Sequence, residues 1–152
     1  MDKLRKWRAL SWPERAVFLQ SLLALPLLAL ALRIWGFRRV YGVLLRSTPV
    51  ADGDARPCSQ PAVASLVRMV NAAANHGPVR ATCLPRSLLV WWLLRRRGVL
   101  TDLIIGVRVY QGRFEAHAWV EREDVAVNDR QDVRQRFRPL ERNGMAQPVH
   151  WV

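Results

Sequence analysis

The chain is poor in cysteine, with only Cys58 and Cys83 among its 152 residues. Two cysteines exclude a disulfide-stapled scaffold and a zinc site built from four cysteines. The sequence also has no Walker loop, no paired-cysteine motif and no dinucleotide-binding glycine pattern. A catalytic, a binding and a purely structural role all stay open after these exclusions.

Acidic residues and lysines are also scarce. Asp and Glu total 12 against 24 Lys and Arg, which gives a formal net charge of +12. Lys3 and Lys6 are the only lysines, so the other basic residues are arginines. A genome-wide preference for arginine explains this as well as an acidic partner, nucleic acid or an anionic membrane does. With 51 % apolar residues, the chain has the material for one folded core.

The N-terminal region is basic at its start and apolar afterwards. Ser11 predicts a helix N-cap, with Glu14 at the capping-box position. The apolar stretch covers residues 16–35, and residues 22–32 carry no polar side chain. A signal peptide needs a small-residue cleavage site, but Arg33 follows the run. Polar residues and a proline also interrupt the run of about 20 residues that a transmembrane helix needs. We favour a helix or helical hairpin that covers the core or a partner, with membrane contact and a signal as alternatives.

A break in composition follows this region. Residues 47–61 are rich in Ser, Pro, Asp and Gly, which predicts an exposed loop with Cys58 as a plain surface thiol. Pro61 predicts the start of a helix that ends near Asn75. The predicted organisation is an apolar, basic helical region over 1–46, a loop over 47–61 and a core over 62–152, with the N-terminal helices packed on that core as one compact unit.

A second apolar segment covers residues 84–94 and predicts a helix buried on all sides. Pro85 suits its first turn. The arginines at 95–97 suit the negative end of the helix dipole, and Gly98 is a natural stop. Cys83 is therefore expected at the N-terminus of a central helix.

Three strands are predicted after this helix. Residues 102–110 and 113–122 alternate between apolar and polar side chains, which is typical of half-buried strands. Gln111 and Gly112 between them predict a two-residue hairpin turn. A third, short strand is expected over residues 125–128.

The first turn fixes a register that pairs Gly106 with His117, and a glycine there leaves room for the helix start that bears Cys83. A three-residue loop over 122–124, or an equivalent bulge, would then set His117 opposite Asp129, with Cβ atoms about 4.5–5.5 Å apart. We expect the His117 face of the sheet to meet the start of the central helix. The opposite, apolar face needs a cover, which the N-terminal helices can supply.

Cys83, His117 and Asp129 together suggest nucleophilic catalysis. A thiol at a helix N-terminus is favoured as thiolate, which is the nucleophilic form. A neighbouring histidine takes up the proton, and a third group holds the imidazole in the required tautomer. The alternatives are a buried cysteine beside an unrelated histidine, which is common in protein cores, and a metal site from the same three residues.

Several short motifs between residues 80 and 140 resemble one family. They are Cys83-Leu84-Pro85-Arg86-Ser87, Arg95-Arg96-Arg97-Gly98-Val99, Ile105-Gly106-Val107, Ala116-His117-Ala118-Trp119-Val120-Glu121 and Asn128-Asp129. The chain is similar in these to the B-type proteins of lasso-peptide biosynthesis, whose protease part has a transglutaminase-like, papain-related fold. The Cys-leading helix and the Ala-His-Ala-Trp strand together carry most of the resemblance.

The resemblance implies an α+β fold in which a Cys-bearing helix packs on a small antiparallel sheet. It implies a cysteine peptidase that cleaves the leader from a ribosomally made precursor, with Cys83 as nucleophile, His117 as base and then acid, and Asp129 as orienting group. Trp119 and Arg80 are candidate substrate contacts. No metal, cofactor or nucleic-acid partner is implied.

The same resemblance implies partners. Some family members carry a leader-binding domain of roughly eighty residues ahead of the protease, whereas the 60 or so residues here are apolar and basic. The chain is therefore expected to be the stand-alone protease and to act with a separate leader-recognition protein. The freed product would pass to an ATP-dependent macrolactam synthetase. We expect a cytoplasmic protein, with membrane contact of the N-terminal helix left open.

Two other functions fit the same residues. A transglutaminase-like acyl transferase would use the same triad, with an amine in place of water. A non-catalytic basic protein would instead bind nucleic acid or a membrane through its N-terminal region, and its binding would fall steeply with salt.

Overall fold

The structure is a computed structural model that describes residues 10–48, 58–77 and 81–140. Helices come first and a small sheet follows, so the α+β prediction is confirmed. The helices are α1 (Trp12–Arg46), α2 (Gln60–His76), α3 (Cys83–Arg95) and α4 (Val133–Arg136). The strands are β1 (Asp102–Tyr110), β2 (Arg113–Arg122), β3 (Val125–Ala126) and β4 (Arg138–Pro139).

Helix α1 begins with the predicted capping box. The Ser11 N–H donates to Glu14 Oε2 at 2.9 Å, and the Ser11 hydroxyl donates to the same oxygen at 2.8 Å. The Ser65 hydroxyl of α2 donates to the other oxygen at 2.7 Å. These bonds, with the one from Ser65 the strongest, lower the pKa of Glu14 to about 2. The start of α1 is therefore bound to α2.

A sharp bend divides α1 at Gly36, whose φ of 75° and ψ of 166° lie outside the helical region. Glycine reaches this conformation without the strain that a Cβ atom would add. Leu44 of the second arm lines the same cavity as Leu27 and Leu28 of the first arm. The second arm therefore turns back toward the first, as in the predicted helical hairpin.

The main core lies between the three long helices and one face of the sheet. Leu88, Leu89 and Val90 of α3 are completely buried, which confirms the prediction that this helix is surrounded by protein. Gly98 ends the turn after α3 with a φ of 74°. Helix α1 is much less covered: of its 18 most apolar consecutive residues, only 17 % are buried. By length and composition this helix could cross a membrane, yet it covers the core along one side.

The part of the chain between 47 and 61 is described only at its two ends. Cys58 is partly buried and packs against the main core, so it is not the plain surface thiol that the sequence suggested. The predicted helix from Pro61 is confirmed, and it buries Val63, Leu66 and Val70.

The sheet has the strand order β3-β2-β1-β4, with antiparallel neighbours. The first hairpin has the predicted two-residue turn, in which Gln111 and Gly112 have φ values of 50° and 73°. Gly106 faces His117 and Ile104 faces Trp119, which confirms the predicted register.

The prediction for the second hairpin was wrong. Glu121 pairs with Ala126 and Arg122 with Val125, so the loop contains only two residues, Glu123 and Asp124. Both adopt positive φ, 52° and 64°, a conformation that is uncommon for side chains other than Asn, Asp and Gly. Strand β3 ends at Ala126, two residues earlier than expected. The chain then bends over residues 127–129, and this bend takes the place of the predicted loop in bringing Asp129 to His117.

The two faces of the sheet are covered differently from the expectation. Leu103 and Val120, on the apolar face, belong to the same buried cluster as α3, so the central helix packs there. The His117 face is covered instead by the segment after β3, through Val133 and Phe137. The space above Gly106 is filled by a side chain of the neighbouring strand, the indole of Trp119. A Cβ atom at Gly106 would lie 2.7 Å from the ring of Trp119, so this glycine makes room for the indole and not for the Cys83 helix.

Candidate active site

Cys83 is the first residue of α3 and is partly exposed. It follows the N-cap Thr82, whose side chain makes no capping hydrogen bond. The free N–H groups of a first helical turn, together with the helix dipole, favour negative charge at such a position. A thiolate or an oxyanion formed here would therefore be stabilised by the helix end.

One turn further along α3, Ser87 binds the helix to strand β2. Its hydroxyl donates to the carbonyl of Ala118 at 2.8 Å and accepts from the Asn128 amide at 2.9 Å. The Asn128 side-chain oxygen in turn accepts the Val120 N–H at 2.7 Å. This network joins α3 to the backbone of β2 beside His117. The imidazole itself lies on the other face of the sheet, with Trp119 and Phe137, and no hydrogen bond joins it to Cys83 among the described residues.

His117 and Asp129 form a hydrogen-bonded pair between imidazole Nε2 and carboxylate Oδ2. The second oxygen, Oδ1, accepts the Arg130 N–H at 2.7 Å and an Arg136 guanidinium N–H at 3.2 Å. With Nε2 engaged by the carboxylate, Nδ1 is the ring nitrogen available to exchange a proton with another group. The two residues predicted to act as base and orienting group are therefore in contact.

The charge on Asp129 is favoured by its surroundings. Burial raises the pKa of this carboxyl, but the hydrogen bonds from His117 and Arg130 and the positive charge of Arg136 outweigh burial and lower the pKa below its usual value. The carboxylate therefore stays ionised near neutral pH, the form that stabilises an imidazolium beside it.

Two aromatic rings hold the imidazole in place. Phe137 stacks on His117 with ring centroids 4.9 Å apart, and Trp119 lies at 6.1 Å with its ring nearly parallel. The guanidinium of Arg108 covers Phe137 at 4.5 Å. The side chains of His117 and Asp129 nevertheless keep 24 % and 19 % of their surface exposed. The imidazole is therefore oriented firmly but remains open to a reactant.

A second charge pair, with a buried carboxylate, begins at Glu121, four residues along β2 from His117 and on the same face. Glu121 is 1 % exposed and accepts the Trp119 Nε1–H at 2.7 Å and the Arg134 Nε–H at 2.7 Å. Burial raises the pKa of Glu121, but the bonds from Arg134 and Trp119 prevail and lower it. Glu121 raises the pKa of Arg134 in return. This pair fixes the indole that lies behind His117.

The remaining candidate residues are placed as follows. Trp119 is completely buried and its ring lies behind the imidazole of His117, which leaves none of its surface exposed for the predicted substrate contact. Arg80 lies outside the described residues. Within the described ranges, no group of three or more His, Cys, Asp or Glu side chains could hold a metal ion.

Sequence reasoning assigned no individual role to four residues that complete the site. Ser87 and Asn128 occur in the motifs that carry the resemblance, which was a usable signal for their importance. Arg136 and Phe137 lie beyond the last strand that the sequence predicted. No local pattern in the sequence indicates that they contact Asp129 and His117.

Comparison with known proteins adds one match. The family model of the transglutaminase-like superfamily matches residues 24–142, more than half of the chain, and includes all three candidate catalytic residues. No curated protein and no solved structure matches the chain. The match begins within α1 and ends just after β4, so it extends over both the helices and the sheet.

Proposed function

The chain belongs to the transglutaminase-like superfamily, which includes cysteine peptidases and acyl transferases, and we propose that it is a cysteine peptidase that cleaves the leader from a lasso-peptide precursor. The observation that carries the proposal is the hydrogen-bonded pair between His117 of β2 and Asp129 of the bend after β3. Ser87 binds α3, the helix that begins with Cys83, to the carbonyl of the residue next to that histidine. In the proposed site Cys83 is the nucleophile, His117 the base and Asp129 the orienting carboxylate, and the observed contact between the last two supports this assignment.

The first half of the reaction is acylation of Cys83. His117 accepts the thiol proton at Nδ1, and Sγ attacks the carbonyl carbon of the last leader residue. The carbonyl π electrons move to oxygen, and the oxyanion is stabilised by backbone N–H groups at the start of α3, with that of Cys83 as a donor. When the tetrahedral intermediate collapses, the C–N bond breaks and His117 donates its proton to the leaving amine. The products are a thioester on Cys83 and a free core-peptide N-terminus.

The second half is hydrolysis of the thioester. A water molecule loses a proton to His117 as its oxygen attacks the thioester carbonyl, and the C–S bond then breaks. The new carboxylic acid loses its proton to solvent and leaves as the leader carboxylate. His117 returns the proton taken from water to the Cys83 thiolate, which restores the thiol and the neutral imidazole. Asp129 keeps its charge throughout and stabilises the imidazolium in both halves.

Support for a lasso-peptide precursor comes from sequence motifs. The Cys83-Leu84-Pro85-Arg86-Ser87 helix start and the Ala116-His117-Ala118-Trp119 strand resemble the B-type proteins of that biosynthesis. Two of these residues, Ser87 and Ala118, meet in the hydrogen bond that joins the helix to the strand. The precursor, a separate leader-recognition protein and a macrolactam synthetase are the corresponding proposed partners.

The proposal is tested by mass spectrometry of a cognate precursor incubated with the protein and its leader-binding partner. Wild type, Cys83→Ala and Cys58→Ala are compared, since Cys58 is the second thiol and lies outside the site. We expect wild type and Cys58→Ala to cut at the leader–core junction and Cys83→Ala to leave the precursor intact.

Other products separate the alternatives. A product whose mass has increased by that of an added amine, with loss of water, would indicate acyl transfer in place of hydrolysis. Cleavage by Cys83→Ala would exclude Cys83 as the nucleophile. Failure of the wild-type protein with its cognate precursor and partner would contradict the assignment as leader peptidase.

A further inference from the structure

The first arm of α1 carries a line of exposed apolar side chains. We define the outer stripe as the six that share one line of the helix: Trp12, Leu19, Leu23, Leu27, Leu30 and Ile34. Each of them is more than half exposed. Their spacing of seven, four, four, three and four residues places them along one line of an α-helix. The apolar side chains of α3 are largely enclosed by protein. Among the described residues, no element covers the outer stripe of α1 in the same way.

The stripe is accompanied by features that suit a lipid surface. Trp12 at its start and Trp35 just beyond its end are 80 % and 59 % exposed, and tryptophan is enriched where a membrane meets water. Five arginines and a single acidic residue, Glu14, occur in α1. The arginines are Arg15, Arg33, Arg38, Arg39 and Arg46.

An apolar cavity lies beside the stripe. It has a volume of about 370 Å³ and is lined by side chains of both arms of α1 and by α3, among them Leu27, Ile34, Leu44 and Trp92. A cavity with this apolar lining suits a hydrocarbon chain, because its side chains provide no groups that would hydrogen-bond a polar ligand. It could therefore receive an acyl chain when the stripe meets a bilayer.

The packing of α1 determines how it would lie in a membrane. The inner side of its first arm buries Val17, Ser21 and Leu25 against the core. Glu14 at the start of the arm is bound by Ser65 of α2. A spanning orientation would carry the polar parts of α2 into the hydrocarbon, which is strongly unfavourable. The helix can meet the bilayer only along its length, as an interfacial helix does.

We propose that the outer stripe of α1 docks the protein onto the surface of an anionic lipid bilayer, with the helix parallel to the membrane plane. Apolar insertion of the stripe and attraction between the arginines and acidic headgroups act together. A second copy of this chain is a poorer occupant, because two molecules with a net charge of +12 repel each other.

Vesicle cosedimentation of the full chain tests the proposal. Vesicles of phosphatidylcholine with phosphatidylglycerol are compared with vesicles of phosphatidylcholine alone, at low and high salt. The test variant is Leu27→Gln/Leu30→Gln, whose leucines are 65 % and 54 % exposed. The control is Leu100→Gln/Leu140→Gln, with leucines 67 % and 54 % exposed that lie outside α1. Because all four side chains are exposed, both variants are expected to fold, which circular dichroism verifies.

We expect wild type and the control variant to bind the anionic vesicles, with weaker binding to the neutral vesicles and at high salt. The test variant should bind at least about tenfold more weakly, since two leucines no longer enter the apolar layer. Absence of wild-type binding, or equal loss in both double variants, would overturn the proposal. Wild-type dimers that Leu27→Gln/Leu30→Gln converts to monomers would overturn it in favour of a second copy. No readout depends on peptidase activity, so this result is independent of the proposed reaction.

Discussion

Strand β2 carries two charge pairs on the same face, and they differ in what surrounds them. Glu121 and Arg134 lie at one end, with the carboxylate 1 % exposed and bonded also to the Trp119 indole. His117 lies in the middle of the strand and pairs with Asp129 of the bend after β3, and their side chains are 24 % and 19 % exposed. The Glu121 carboxylate is closed to a reactant, although Arg134 keeps 42 % of its side chain exposed. In the His117–Asp129 pair the imidazole and the carboxylate both reach solvent, so this pair can exchange a proton.

The indole of Trp119 links the two pairs. It donates to Glu121, lies over Gly106 and is nearly parallel to the His117 ring. The Glu121–Arg134 pair therefore fixes the indole against which the His117–Asp129 pair is held. The comparison teaches that burial, more than charge or position on the strand, separates the two roles.

His117→Ala is expected to give the largest effect, a strong loss of activity with little loss of stability. Loss of the base should reduce cleavage of the precursor by about 10³-fold or more. The free energy of unfolding should change by less than about 1.5 kcal/mol, because the side chain is partly exposed and makes no bond to the main core. Cleavage kinetics and urea denaturation measure the two effects. His76→Ala, an exposed histidine at the end of α2, is the control and should leave both unchanged. Equal activity in the two variants would contradict the role of His117.

Glu121→Ala should show the reverse pattern. It removes a buried carboxylate and leaves the Trp119 N–H without an acceptor, which lowers the free energy of unfolding by about 3 kcal/mol. The matched control is Glu115→Ala on the same strand face, where the pair with Arg108 is part-exposed and contributes less than about 1 kcal/mol. Equilibrium denaturation compares them. A similar loss in both variants would show that burial does not separate the two kinds of pair.

Asp129→Asn should reduce cleavage by about a hundredfold, a smaller effect than loss of His117. The amide oxygen can still accept the Nε2–H, but it supplies no negative charge beside the imidazolium. Asp132→Asn is the control, because Asp132 lies near the same arginines without a bond to His117. Steady-state rates measure the effect. A loss of less than about threefold in Asp129→Asn would argue against an orienting carboxylate.

The smallest expected effect is the acid dependence of stability. The pKa values of Asp129 and Glu121 are both lowered in the folded protein. The unfolded chain therefore binds more protons as the pH falls below the ordinary carboxyl range. The stabilisation is complete above that range and is lost as the pH falls through the folded pKa values. Denaturation between pH 6 and pH 2 should show a shallower decline for Glu121→Gln than for wild type. An identical decline would contradict the assignment of Glu121.

Much of the sheet could be predicted because local chemistry determines it. Gly112 adopts positive φ without strain and therefore marks the two-residue turn, and the length of that turn sets the pairing of the two strands, including Gly106 with His117. The second turn was mispredicted because Glu123 adopts positive φ, which its side chain does not suggest. The contact between His117 and Asp129 was expected for a different reason from the one observed, a bend outside the ladder in place of a longer loop.

Residues that act through distant contacts were harder to find. Glu121 alternates with apolar neighbours as a solvent-facing residue would, and only Arg134, thirteen positions later, explains its burial. Phe137 covers His117 from a segment with no periodic pattern. The elements that pack on each face of the sheet were also mispredicted. The alternation of a strand shows which side chains share a face but not which element packs on that face.

The most direct test of the central claim, that Cys83 and His117 act as a unit, needs no substrate. Alkylation of Cys83 by iodoacetamide at neutral pH is followed by mass spectrometry in a Cys58→Ser background, which leaves one thiol. Only the thiolate reacts, so loss of a proton acceptor slows the reaction. The account predicts that His117→Ala slows alkylation at least about tenfold while His76→Ala does not. Equal alkylation rates in the two variants would contradict it.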